Sequence, residues 1–180
     1  DTLFSVQDNV YDYIIGNPPY LKIPKDADEA RVMPSICYGA PNLYFLFWAM
    51  GIHNLKEGHE LVYIVPRSWT SGAYFKKFRE YFFKNCVITD MHLFESRDKV
   101  FEGESVLQET VIVKVKKTTA TPEYINITSS STSQFTDLKT FPCSFMLPWW
   151  RETSLYIWLQ TKLTLPYFLS LTASTRLFPT

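Results

Sequence analysis

Glycine is scarce in this chain: six residues in 180, no two of them spaced Gly-x-Gly. The chain therefore contains no glycine-rich loop of the kind that cradles a phosphate or a nucleotide cofactor. Cysteine is scarcer still. Cys37, Cys86 and Cys143 are odd in number and far apart, with no CxxC and no neighbouring His pair, which argues against a disulfide framework and a zinc site and points to a reducing cytoplasmic setting. Neither a signal peptide nor a membrane-spanning apolar run is present, so the triplet Asn126-Ile127-Thr128 reads as a fortuitous glycosylation signal. An excess of positive charge is also missing. Lys plus Arg number 18 and Asp plus Glu number 18, unlike the basic balance of a self-sufficient nucleic-acid binder, so any grip on nucleic acid is local or lies elsewhere in a larger protein.

What is present is organised around Tyr11-Asp12-Tyr13-Ile14-Ile15-Gly16-Asn17-Pro18-Pro19-Tyr20. Tyr13, Ile14 and Ile15 favour a pleated, buried strand, and Gly16 permits a close bend. Each proline fixes its own φ and pushes the preceding residue out of the helical region, so Asn17 and Pro18 are held extended. Because prolines donate no N–H, the strand ends by presenting the Asn17 side-chain oxygen and the Pro18 carbonyl as acceptors beside the Tyr20 ring. Two adjacent acceptors suit an amine. Hydrogen bonds drawn from both N–H groups of an exocyclic amine such as adenine N6 make its nitrogen more pyramidal and more nucleophilic, and Tyr20 can stack on the attached ring.

Further along, the polar stretch 22–41, with Pro24, Pro34 and Pro41, reads as a long loop beside the site. Asn42 caps a helix expected over about 42–55, with Leu43, Phe47 and Met50 on one stripe and Tyr44 and Trp48 on the next, and Gly58 is placed to end the following turn. Leu61 to Val65, closed by Pro66, has the pattern of a strand buried on both faces. An amphipathic helix follows from Ser71, with Phe75, Phe78 and Phe82 on one face and Lys76, Lys77, Arg79 and Lys84 as a basic cluster. Strands are expected at Val87–Leu93, at 109–117 near a sheet edge, and at Tyr124–Thr128.

The tetrad Asn17-Pro18-Pro19-Tyr20 resembles the catalytic motif of S-adenosylmethionine-dependent amino-methyltransferases. The match widens with Asn42-Leu43-Tyr44, with Ile64-Val65-Pro66-Arg67-Ser68-Trp69 leading into Tyr74-Phe75-Lys76-Lys77-Phe78-Arg79, and with Val100-Phe101-Glu102 before Val111-Ile112-Val113. Over roughly residues 8–117 this order resembles the C-terminal part of the catalytic domain of adenine-specific (N6) DNA methyltransferases, particularly the type IIG restriction–modification enzymes. The resemblance implies an α/β fold: a partial Rossmann-like methyltransferase sheet, mainly parallel, with one antiparallel strand near the edge and the site at the carboxyl ends of the strands. It implies S-adenosyl-L-methionine as cofactor and DNA as partner, with the target base flipped out of the duplex. Asn17, Pro18, Pro19 and Tyr20 would be catalytic, Asn17 would also border the cofactor, and Tyr20 and Phe101 would hold the base. No metal is required, and His53, His59 and His92 read as surface or packing residues.

One departure qualifies that implication. The family carries its glycine-rich cofactor loop and an acidic ribose partner on strands preceding the tetrad, and here scarcely any residues precede it. The expectation is a cofactor site left incomplete, a chain inactive alone, and a complementing N-terminal half. The expected layout is a partial catalytic domain over 1–128, a linker over 129–144 marked by its serine run, and a tail or truncated second domain over 145–180. Two alternatives stay open: a protein-glutamine or RNA methyltransferase sharing the tetrad, and a non-catalytic remnant.

Overall fold

The chain folds, in a computed structural model that describes residues 5–94, 110–120 and 122–144, around a single six-stranded sheet. β1 (Tyr11–Gly16) leads through a short helix, α1 (Asp28–Val32), to α2 (Leu43–Asn54), which runs without a loop into β2 (Leu55–Pro66). α3 (Lys76–Asn85), β3 (Val87–Phe94), β4 (Thr110–Lys116), β5 (Tyr124–Ser130) and β6 (Lys139–Ser144) complete the order. Across the sheet the strands stand β1-β2-β4-β3-β5-β6. β1, β2, β3 and β5 point one way, while β4 and β6 run against their neighbours.

The mixed α/β class and the mostly one-way sheet match expectation; the place of the antiparallel strand does not. β4 lies inside the sheet, hydrogen-bonded to β2 and β3, and a second reversed strand, β6, forms the edge. The alternation of Val111, Val113 and Val115 with Ile112, Lys114 and Lys116 had suggested an edge. It reflects a half-exposed face instead: the three valines are fully buried, and the alternate residues point to the opposite side. The same asymmetry corrects β2, whose Leu61, Tyr63 and Val65 are buried while Val62 and Ile64 are only half-buried.

α2 packs on the buried face. It begins where the Asn42 side-chain oxygen accepts from the Tyr44 N–H at 3.3 Å, and it is apolar nearly all round, as a helix covered on several sides must be. Leu43 and Phe47, expected on its inner stripe, are half-buried, while Tyr44, Phe45 and Trp48 are fully enclosed. Gly51 lets α2 settle onto β2: a Cβ there would stand 2.7 Å from a Leu61 methyl. α3 then packs on α2, with Phe78 and Phe82 against Trp48 and Trp69 at ring separations of 5.0 to 6.2 Å.

A lysine fastens the end of α2, and a glycine bends β2. Lys117, just after β4, donates to the carbonyls of His53 (3.0 Å) and Leu55 (2.7 Å) and to Asn9 Oδ1 (2.9 Å), placing a cation on the last carbonyls of α2. Gly58, expected to end a turn, lies inside β2 instead. Its φ of +80° carries the strand through a bulge between the residues opposite Tyr11 and Tyr13.

The stretch 129–144, expected as a linker, holds the end of β5 and all of β6. Ser129 and Ser130 are buried because the run enters the sheet beside His92. Ser130 Oγ donates to the Thr132 carbonyl at 2.8 Å and lies 3.0 Å from His92 Nε2, and Thr128 Oγ1 lies 2.8 Å from Nδ1. Its hydrogen already given away, the Ser130 hydroxyl accepts from Nε2–H, which leaves Nδ1 to accept from Thr128. Burial lowers the pKa of this imidazole, in keeping with its packing role between Phe94 and Phe135. The tail 145–180 lies outside the described residues.

Asn54, only 2 % exposed, holds the segment before β1. Its Oδ1 accepts from Gln7 N–H (2.9 Å), its Nδ2 donates to the Ser5 carbonyl (3.1 Å), and its own carbonyl accepts from Val10 N–H (2.8 Å). Asn54→Ala removes both side-chain bonds and leaves their backbone partners unpaired, so the chain should lose about 2 kcal/mol in a denaturant titration. A change below about 0.5 kcal/mol, the scatter of ordinary surface substitutions, would show that this residue does not fasten the segment.

Candidate active site

β1 and β2 are parallel neighbours whose carboxyl ends lie side by side, and the tetrad begins where β1 stops. Gly16 is the last residue of β1 and pairs with Tyr63. Its missing side chain matters locally, since a Cβ at Gly16 would sit 3.1 Å from the Tyr63 ring. Asn17 follows, exposed, and among the described residues no hydrogen bond takes its side-chain amide. Pro18 is buried, Pro19 exposed and Tyr20 half-buried. The chain thus anchors itself through Pro18 and Tyr20 and leaves the Asn17 amide facing outward.

Tyr20 is tied from two directions. Its hydroxyl donates to the Ile64 carbonyl at 2.9 Å, and the Tyr44 ring meets it edge to face, with centroids 6.2 Å apart and planes at 84°. Tyr44, 1 % exposed, has its hydroxyl 3.3 Å from Ser68 Oγ and packs against Phe45 and Phe75. Ser68 stands in the 3₁₀ turn Arg67–Thr70 that leaves β2, exposed at the same end of the sheet.

The stretch after Tyr20 is less loose than its composition suggested. Leu21 to Ile23 pairs with Pro41 to Leu43, through Ile23 N–H to the Pro41 carbonyl and Leu43 N–H to the Leu21 carbonyl, both 2.8 Å, around an isolated bridge between Lys22 and Asn42. The loop is therefore closed at its base. Ala30 and Ile36 bury themselves within it, and the Tyr74 hydroxyl donates to the Ala40 carbonyl.

The basic cluster resolves unevenly. Arg79 is engaged in structure, donating to the carbonyls of Trp69 (3.1 Å), Ser71 (3.0 Å) and Gly72 (3.0 Å) and so holding the turn after β2. Lys76 stands 3.9 Å from Glu80 on an exposed helix face. Phe101, expected to close on the base opposite Tyr20, lies outside the described residues. Among the described residues no cluster of His, Cys, Asp or Glu could hold a metal ion. Sequence reasoning passed over Tyr44, Ser68 and the Ile64 carbonyl as site residues; all three residues stood within the matched motifs, but only their long-range contacts link them to Tyr20.

Burial pushes the Tyr20, Tyr63, Tyr74 and Tyr81 phenols up to about 12, and Tyr44 higher still. In the folded chain they keep their protons after the unfolded chain has lost its own, so their contribution is whole below about pH 10 and is lost as pH rises toward 12. The denaturant midpoint should decline across that window, and less steeply for Tyr20→Phe. A flat profile would contradict the burial of these phenols.

A model of the Eco57I restriction-modification methylase family matches residues 2–101. The type II methyltransferase M.BsuBI of Bacillus subtilis is 34 % identical over 145 residues, covering 81 % of this chain and 29 % of the relative. The type II methyltransferase M.PstI of Providencia stuartii is 38 % identical over 121 residues, covering 67 % of this chain and 24 % of the relative. Among solved structures, the type IIG restriction endonuclease BpuSI superposes with a TM-score of 0.61 at 18 % identity, over 91 % of this chain and 21 % of that one; the likeness is one of fold. The chain spans less than a third of the length of these curated relatives.

Proposed function

The chain belongs to the Eco57I restriction-modification methylase family, and from that premise we propose that it is the amine-activating part of a DNA methyltransferase that transfers a methyl group from S-adenosylmethionine to adenine N6. The observation that carries the reading is the outward Asn17 amide, set beside Pro18 at the carboxyl end of β1 with the Tyr20 ring held next to it.

In this reading the flipped adenine stacks on Tyr20 while its amino group donates one hydrogen to Asn17 Oδ1 and the other to the Pro18 carbonyl. Both acceptors draw the amine out of conjugation with the ring. As nitrogen attacks it becomes positive, and the same two oxygens stabilise that charge without having to reorganise. Phe101 would close the far side of the base. S-adenosylmethionine would supply an electrophilic methyl group on its sulfonium, and Asn17, at the end of β1, would border it. No gly-rich loop is available to hold the rest of the cofactor.

A second feature supports dependence on a complementing N-terminal half. Among the described residues no strand pairs with the outer side of β1, and on its open face Tyr13 is 75 % and Ile15 85 % exposed. An open, apolar strand edge is a template for another strand, and strands added at β1 would lie where the cofactor has to sit against the tetrad. The whole enzyme would then act on DNA in the cytoplasm. No helix among the described residues is long and apolar enough to cross a membrane.

The isolated chain should bind S-adenosylmethionine weakly or not at all in calorimetric titration. Micromolar affinity, about 8 kcal/mol, would mean that the chain carries a cofactor site of its own. In the whole enzyme, Asn17→Ala should lower the single-turnover methyl-transfer rate on the order of 100-fold while leaving DNA affinity nearly unchanged, because the lost bond strengthens only as charge develops on nitrogen. An unaltered transfer rate would remove Asn17 from the mechanism.

A further inference from the structure

The last pair that β1 makes with β2 is Gly16 with Tyr63, and Pro18 and Pro19 have no N–H with which to extend the ladder. The β2 carbonyl one residue beyond that pair, at Ile64, takes the Tyr20 hydroxyl as its donor at 2.9 Å. We propose that the Ile64 carbonyl and the Tyr44 ring are positioning groups for the Tyr20 platform, the first setting the axis of the ring and the second its plane. The inference rests on Tyr20 serving as the base platform and adds what makes that platform stationary.

The two constraints are independent. The phenol oxygen lies on the Cβ–Oη axis, so the tie to Ile64 fixes where the ring points and restrains its turning about that axis only weakly. Tyr44 opposes the turn. The two rings meet edge to face, with centroids 6.2 Å apart and planes at 84°, so turning Tyr20 about that axis would break their contact. Tyr44 can act as a stop because it is immobile itself: 1 % exposed, its hydroxyl 3.3 Å from Ser68 Oγ, its ring at 89° to Phe45 and tilted against Phe75. Burial pushes the Tyr20 phenol up to about 12, so the donor keeps its hydrogen at neutral pH. A flat base stacks only on a ring held in one plane, and a platform set before the base arrives spares the ordering cost at the moment of binding.

The test is a set of single-turnover methyl-transfer rates, with DNA affinities and melting temperatures, in the whole enzyme. Tyr20→Phe keeps the ring and removes only the axis tie; it should slow transfer by about threefold or more with little change in DNA affinity. Tyr44→Leu removes the stop and should slow transfer by about fivefold, yet should have no further effect in a Tyr20→Ala background, since Tyr44 acts only through Tyr20. A merely structural residue would slow both backgrounds equally. Should Tyr44→Leu fail to fold, Tyr20→Phe, which preserves volume, still decides. Wild-type transfer by Tyr20→Phe, or an equal effect of Tyr44→Leu with and without the Tyr20 ring, overturns the positioning role. If Tyr20→Ala itself transfers at the wild-type rate, it is the platform reading that fails, and the positioning role falls with it.

Discussion

The constraint on which the site depends is the absence of backbone donors at Pro18 and Pro19. A parallel ladder continues only while each strand supplies N–H groups to its neighbour, and two consecutive prolines end that supply. β1 must therefore leave β2 after Gly16, and it leaves with Asn17 outward and Pro18 buried. The β2 carbonyl beyond the last pair would be left poorly satisfied, and the Tyr20 hydroxyl reaches back to it. One chemical deficiency thus turns the chain, exposes the amide and fastens the aromatic ring.

That fastening reaches into the core through aromatic packing. Tyr20 meets Tyr44, Tyr44 meets Phe45 and Phe75, and Phe45 meets Phe78, which joins Trp48, Trp69 and Phe82 between α2 and α3. All of these rings but Tyr20 and Phe75 are fully enclosed. The indole N–H groups of Trp48 and Trp69 are buried with no conventional acceptor among the described residues, in a cluster where the two rings stand 5.0 Å apart at 76°. Close ring packing of this kind leaves few alternative arrangements, and such rigidity would suit the base platform proposed for Tyr20.

The opposite face of the sheet is of another character. Lys114 bridges Glu60 at 3.0 Å and Asp90 at 3.5 Å, and Asn126 donates to Asp90 at 3.1 Å, a polar diagonal across four strands. Nearer β1 the same face turns apolar, with Val62 and Ile64 half-covered and Ile15 almost wholly exposed. Solvated charge at one end and uncovered hydrocarbon at the other distinguish a surface that meets water from one that suits further protein.

Local chemistry determined much of this protein from sequence alone. The strand into Asn17-Pro18-Pro19-Tyr20, the Asn42 cap, the helix pattern around Phe78 and Phe82 and the valine alternation after residue 110 each depend on neighbours a few residues away, and each element formed. The first strand, expected buried, nonetheless leaves Tyr13 and Ile15 exposed, and the helix expected from Ser71 begins at Lys76. Strand order lay beyond such reasoning, because alternating valines report a half-covered face and cannot say whether a strand is interior, as β4 is, or at the edge. Nor could composition reveal that the serines after Thr128 enter the sheet, for their burial comes from His92, far back in the chain. The partners of Tyr20 were hidden for the same reason. The Ile64 carbonyl and the Tyr44 ring stand 44 and 24 positions away from it, and only the folding of β2 beside β1, with α2 packed on β2, brings a donor, an acceptor and a second ring to one place.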